Sequence, residues 1–303
     1  MKIRPKSPHR WASDITAVLR TVYGADRFPV DVKTVAREIS HQKYPDDPIT
    51  MIRGKELPGF EGALVPAPPG KTGWGILYNK ATDSSGRINF TLGHELGHYL
   101  LHRLDYPQGF QCTSEDMSNW DSEYGQLEQQ ANTFAADLLM PFDDFRGQIG
   151  VWDRPALNDV GDCAARYDVS LTAALLRWLK YTSRRSVLVV SKDGFILWAR
   201  SSKSALKSGL YYKTRNRPPI EIPGSSLAAR RSLMVAHAGE AEHDRNVWLC
   251  TPCKEHVLFS DRYDLTLSML HFDDRTVHPE PEEAPEEEAY DRMISRNLQS
   301  WLG

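Results

Sequence analysis

Between Arg87 and His102 the chain reads RINFTLGHELGHYLLH. Leu92, Leu96, Tyr99 and Leu100 recur at the three- and four-residue intervals that place apolar side chains on one helix face. The spacing predicts a packed helix, entered from an extended segment at Ile88 and Phe90 and capped by Asn89 or Thr91. A second stripe runs through LEQQANTFAADLLMP, where Ala131, Phe134, Ala135, Leu138 and Leu139 share a face and Pro141 ends the helix. Upstream, helical patterns fall at Ile15 to Val22 and Pro29 to Ile39, then loops rich in Pro and Gly from Pro45 to Gly75, then a strand at Gly75 to Asn79. Beyond Pro141, helical patterns over Ala156 to Tyr167 and Ser170 to Thr182 are joined by a turn at Asp168 and Val169, with Ser170 as N-cap, like a helix-turn-helix. From Ser186 the pattern changes to strands. Val187 to Val190, a turn at Lys192, Asp193 and Gly194, and Phe195 to Ala199 predict a hairpin; Val247 to Cys250, Val257 to Ser260 and Leu265 to Phe272 extend it into an antiparallel sheet. Glu280 to Glu288, rich in Pro and Glu, predicts a solvated segment ahead of a short last helix at Asp291 to Leu302.

Composition narrows the classes. A chain of 303 residues with 41% hydrophobic content can bury a sizeable core and suggests about two domains. A net charge of -3 does not fit a protein built chiefly to coat nucleic acid. The first residues, MKIRPKSPHRWASDI, hold no apolar signal core, and no apolar run is long enough to span a bilayer, so the expected compartment is the cytoplasm. Its 4 cysteines (Cys112, Cys163, Cys250 and Cys253) are too few for a disulfide scaffold.

The chemistry concentrates at HELGH. On a helix, His94 and His98 stack one turn apart and can share a metal ion, while Glu95, about 100° further round, reaches a water on that ion without ligating it. A zinc peptidase needs a third protein ligand and an open fourth position. Glu128 is the best candidate, because it falls on the buried face of the second stripe, where a carboxylate is costly unless paired or metal-bound. Asn132, one turn on, can orient a ligating His. His102 continues the series from His98 but should lie about 12 Å along the axis from His94, too far for the same ion. Cys250 and Cys253 form a CxxC without a second paired motif, which fits a turn between strands better than a metal or redox site.

The HELGH helix followed by E-x-x-A-N-x-F-A-A-x-L-L-M-P, here Glu128 to Pro141, resembles the ImmA/IrrE family of metallopeptidases, most clearly over about residues 30 to 180. The resemblance implies a gluzincin-like site with His94, His98 and Glu128 as metal ligands and Glu95 as base. Zinc is the implied ion, and manganese also suits a site of two His and one carboxylate. It implies a helix-turn-helix (XRE-type) transcriptional repressor as the protein substrate, cut in a DNA-damage or mobile-element response. It further implies that the strand at Gly75 to Asn79 borders the cleft, where its edge would pair with an extended peptide. Tyr99, His102 and Tyr124 are candidates to stabilise the oxyanion.

The expected fold is α+β: a zincin-like metallopeptidase domain over residues 1–150, a helix-turn-helix-like segment over 151–185, a C-terminal antiparallel domain, GAF-like in outline, over 186–278, and an acidic tail with a terminal helix over 279–303. A DNA-binding or adaptor-type regulator with a non-catalytic metal site is the rival. Leu171, Leu175, Trp178 and Leu179 are core-like, and Arg177, Lys180, Arg184 and Arg185 are too few for a convincing recognition surface, so nucleic-acid binding is not expected to be primary.

Overall fold

A computed structural model describes residues 6–111, 123–214, 217–233, 236–261 and 263–273. The expected acidic tail and last helix, and Cys112, lie outside the described residues. Helix α1 (Pro8–Tyr23) opens with the Ser7 hydroxyl accepting from the Arg10 N–H, and α2 (Val32–Lys43) with the Asp31 carboxylate accepting from the Thr34 N–H. Both bury short apolar stripes: Trp11, Ala12 and Ile15 in one, Val32, Val35 and Ala36 in the other.

The first sheet contains β1 (Ile49–Lys55), β2 (Gly62–Pro66), β3 (Trp74–Asn79) and β4 (Phe110–Gln111), in the order β1-β3-β2-β4. β1 runs parallel to β3, and the other pairs are antiparallel. The expectation for Gly75 to Asn79 is therefore corrected. β3 is an interior strand whose two edges already bond β1 and β2, so its backbone has no free edge for a peptide. Its burial explains the apolar WGIL sequence.

Helix α3 (Ser85–Leu101) starts earlier than its pattern suggested, with Ser84 as cap; Ile88 and Phe90 are helical, not extended. It packs along α4 (Glu123–Leu139). Two small-residue pairs form the seam: a Cβ on Gly97 would come within 3.1 Å of the Ala131 Cα, and one on Gly93 within 3.3 Å of the Ala135 Cβ. The absence of those side chains lets the backbones approach and brings Glu128 to the histidines.

After α5 (Phe142–Gln148), α6 (Leu157–Tyr167) and α7 (Leu171–Leu179) meet at Asp168, a left-handed C-cap, and Ser170, whose hydroxyl accepts from the Ala173 N–H. The second sheet joins β5 (Ser186–Lys192), β6 (Phe195–Ser201), β7 (Ile220–Glu221), β8 (Ala238–His243), β9 (Cys253–Ser260) and β10 (Leu265–Phe272), with α8 (Lys203–Lys207) after β6. Its order is β7-β6-β5-β10-β9-β8, antiparallel throughout. The β5–β6 hairpin turns at Asp193 and Gly194, both at positive φ. Val247 to Cys250, expected as a strand, lies in the β8–β9 connection. The strand is AGEAEH before it, an edge strand with alternate residues exposed and no apolar pattern to reveal it.

One face of this sheet, with Leu188, Val190, Trp198, Leu267 and Met269, shares a core with α6 and α7; the other, with Val187, Val189, Leu270 and Phe272, is covered by Ala205, Leu210 and Trp248. The residues of α7 from Ala174 to Leu179 are all buried. Arg177 is turned inward, donating to the Asp137 carboxylate at 2.7 Å and the Met140 carbonyl at 2.6 Å. Arg177, one of the few cations a recognition surface here could use, is thus engaged inside the fold. Trp178, 0% exposed, stands in the shared core. Trp178→Ala should cost about 3–5 kcal/mol of stability, measured by urea denaturation, because it opens a cavity where the sheet meets the helices; a loss below about 1 kcal/mol would mean this contact is not structural. No helix among the described residues is long and apolar enough to cross a membrane.

Candidate metal centre

Helix geometry sets His94 and His98 on one face of α3, and the close α3–α4 seam sets Glu128 opposite them. The His94 and His98 Nε2 atoms are 2.9 Å apart. Glu128 spans the pair, Oε2 lying 3.1 Å from His94 Nε2 and Oε1 3.2 Å from His98 Nε2. All three side chains are buried. Among the described residues this is the one group of His, Cys, Asp or Glu side chains whose donor atoms could hold a metal ion.

The site's charge balance points the same way. Burial opposes ionisation, yet the two imidazoles hold the Glu128 carboxyl well below the usual carboxylate range. Burial lowers His94 too, but Glu128 beside it outweighs this and brings His94 up to about 9; His98, with less help, is pushed down. A buried carboxylate thus faces two ring nitrogens; without an ion a proton on His94 balances it, and a divalent cation would take that proton's place. Tetrahedral zinc with ligands at about 2.0–2.2 Å separates its donor atoms by roughly 3.4 Å, close to the spacings here. Two neutral nitrogens and one carboxylate oxygen are also the donor chemistry of a divalent transition metal. The residues present fit such an ion.

Glu95 projects beside this group without joining it. It is 1% exposed, and its Oε2 has no hydrogen-bond partner among the described residues. Burial pushes its carboxyl up to about 8, with the neighbouring His94 acting against the rise. A buried, under-satisfied carboxyl beside a cation site is suited to taking and giving a proton near neutral pH.

The supporting contacts are specific. The Asn132 Oδ1 lies 2.9 Å from His94 Nδ1, the orienting contact expected from its place one turn after Glu128. Phe110 of β4 stacks on the His98 ring, centroids 4.2 Å apart and planes 23° from parallel. Two of the three oxyanion candidates are otherwise engaged. The Tyr99 hydroxyl donates to the Asp47 carbonyl at 2.7 Å, and the His102 nitrogens face His98 and Gln130. Tyr124 stands one turn before Glu128 on α4, its ring 6.3 Å from Phe110.

Sequence reasoning missed Gly62, the first residue of β2. A Cβ there would lie 2.5 Å from Thr91 Cγ2 and 2.8 Å from Glu95 Oε1. β2 thus reaches Glu95, and glycine at its first position leaves the carboxylate its place. Gly62→Ala is expected to keep its metal while peptide cleavage falls on the order of 100-fold, the scale of a 1 Å misplacement of a catalytic group. Metal analysis and a cleavage assay on the same preparation check it; undiminished cleavage would show that Glu95 tolerates the intrusion.

The CxxC has no comparable geometry. Cys250 is exposed, while burial, with Glu255 and Glu242 nearby, pushes the Cys253 thiol up to about 12, the reverse of a reactive thiolate.

Residues 48–179 match the family model of the IrrE N-terminal-like domain, Peptidase M78. No curated protein matches the chain.

Proposed function

We propose, from the match of residues 48–179 to the IrrE N-terminal-like domain family, that the protein is a zinc-dependent endopeptidase that cleaves a helix-turn-helix transcriptional repressor. The observation that carries the catalytic part is the convergence of the His94, His98 and Glu128 donor atoms beside the buried Glu95. The repressor as substrate rests on the resemblance of the paired motifs to the ImmA/IrrE family, and so does a role in a DNA-damage or mobile-element response. Zinc is favoured by the donor set, with manganese as the alternative ion.

His94, His98 and Glu128 hold the ion. When bound, it supplies Lewis acidity that polarises the scissile carbonyl and lowers the pKa of an adjacent water to about 7. Glu95 accepts the attacking water's proton on a carboxylate oxygen, then returns it to the leaving amine nitrogen. The enclosure that raises its proton affinity suits both transfers. Asn132 accepts from His94 Nδ1–H and so keeps the Nε2 lone pair turned to the site. Tyr124, one turn before Glu128, is a candidate to donate to the oxyanion.

The rival reading, a DNA-binding or adaptor-type regulator, has less support, because α7 is enclosed and Glu95 is intact and buried. The test is to incubate the purified, zinc-loaded protein with the helix-turn-helix repressor encoded nearest its gene. Two repressor fragments should form, and a chelator should block them. A repressor left whole by fully metal-loaded protein would remove this substrate.

A further inference from the structure

We propose that His102 and Gln130 form a relay that fixes the tautomer of His98 and so keeps its Nε2 available to a metal ion. The proposal rests on the metal-site reading and adds two positioning residues to it. His98 can ligate through Nε2 only if that nitrogen carries a lone pair, so the proton of the neutral ring must sit on Nδ1. His98 Nδ1 faces His102 Nδ1 at 3.1 Å. Two ring nitrogens at that distance must be one donor and one acceptor, so His102 Nδ1 is bare and its proton sits on Nε2. That nitrogen faces Gln130 Oε1 at 3.2 Å, an oxygen that only accepts.

The polarity has a single direction compatible with a metal. His102 Nε2–H donates to Gln130, and His98 Nδ1–H donates to His102, leaving the His98 Nε2 lone pair toward His94 Nε2 and Glu128. Turning the Gln130 amide to present its NH2 reverses every step and puts a proton on His98 Nε2, where the ion must bind. Ring rotation offers no escape. His98 is fully buried and stacked on Phe110, and the His102 ring also leans on Phe110, with centroids 5.7 Å apart. The His102 backbone is tied to the same residue, its N–H donating to the His98 carbonyl at 2.8 Å.

The two metal histidines are thus set differently. His94 is served directly by the Asn132 amide oxygen, whereas His98 is served through an intervening imidazole that ends at a surface amide. Gln130 is exposed, so water can partly replace it, but His102 is buried and has no such substitute.

Zinc affinity, measured by competition with a chromophoric chelator, tests the relay. His102→Phe keeps ring volume but removes the acceptor, and should weaken zinc binding roughly 10- to 100-fold, the usual loss for a partner that orients a ligand. His102→Gln, whose amide oxygen can accept from His98 Nδ1–H, should recover most of that loss. Gln130→Leu should cost less than His102→Phe, and Gln130→Glu should bind like the wild type. Nitrogen-15 spectra of the zinc-loaded wild type should show His102 protonated at Nε2 and bare at Nδ1. Wild-type affinity in His102→Phe, or a His102 proton on Nδ1, would overturn the relay and leave the metal site standing. A wild type that binds no zinc would instead overturn the metal-site reading, and the relay with it. Should His102→Phe not fold, His102→Gln set against Gln130→Leu decides: equal affinities in those two and the wild type would overturn the proposal.

Discussion

Glu95→Gln is expected to keep the metal and lose cleavage by roughly 10²–10⁴-fold, the contribution of a positioned general base. Gln has the same shape, so it fills the buried space against Gly62 and leaves His94, His98 and Glu128 where they are. It cannot accept the water's proton, and the reaction loses its path for proton transfer. The same variant should hold substrate without cutting it, which makes it a practical bait. Metal content and kcat/KM on one preparation separate this outcome from misfolding. Cleavage at a normal rate with full metal content would remove Glu95 from the role of base.

Glu128→Ala should have the largest effect on metal binding, exceeding the roughly 10- to 100-fold that follows loss of a supporting hydrogen bond. The substitution removes the one negative donor from a buried group and leaves two ring nitrogens 2.9 Å apart with no carboxylate to hold a cation between them. His94→Ala and His98→Ala should behave alike, whereas His102→Ala should weaken binding only as a positioning residue does. Metal titration across these four variants provides the ranking. If His102→Ala strips the metal while Glu128→Ala retains it, the ligand set is wrong.

Much of the site was legible because its chemistry is local in sequence. HELGH fixes the relation of two histidines and a glutamate through helix geometry alone, and the buried stripe after Glu128 marks its carboxylate as facing inward. The α6–α7 turn was equally plain, since Asp168 and Ser170 sit where a C-cap and an N-cap belong. What escaped depends on contacts between distant segments. Gly62 is one glycine among many until β2 is laid against Glu95, and Gly93 and Gly97 read as helix-weakening residues until Ala131 and Ala135 are seen opposite them. The edge implied for β3 failed for a related reason, because strand order is not written in a strand's own composition. β8 escaped because an edge strand with one solvated face can be built from Ala, Gly, Glu and His. Ile88 and Phe90 read as extended because the Ser84 cap lies earlier than the apolar stripe.

The central claim is that one ion is held by His94, His98 and Glu128. Anomalous diffraction at the zinc edge from crystals of the zinc-loaded protein tests it most directly. The account predicts one peak per chain, about 2.0–2.2 Å from His94 Nε2, His98 Nε2 and a Glu128 oxygen, with Glu95 and His102 outside ligating distance. A peak at Cys250 and Cys253 in place of that one, or an ion ligated by His102 with Glu128 turned away, would contradict it.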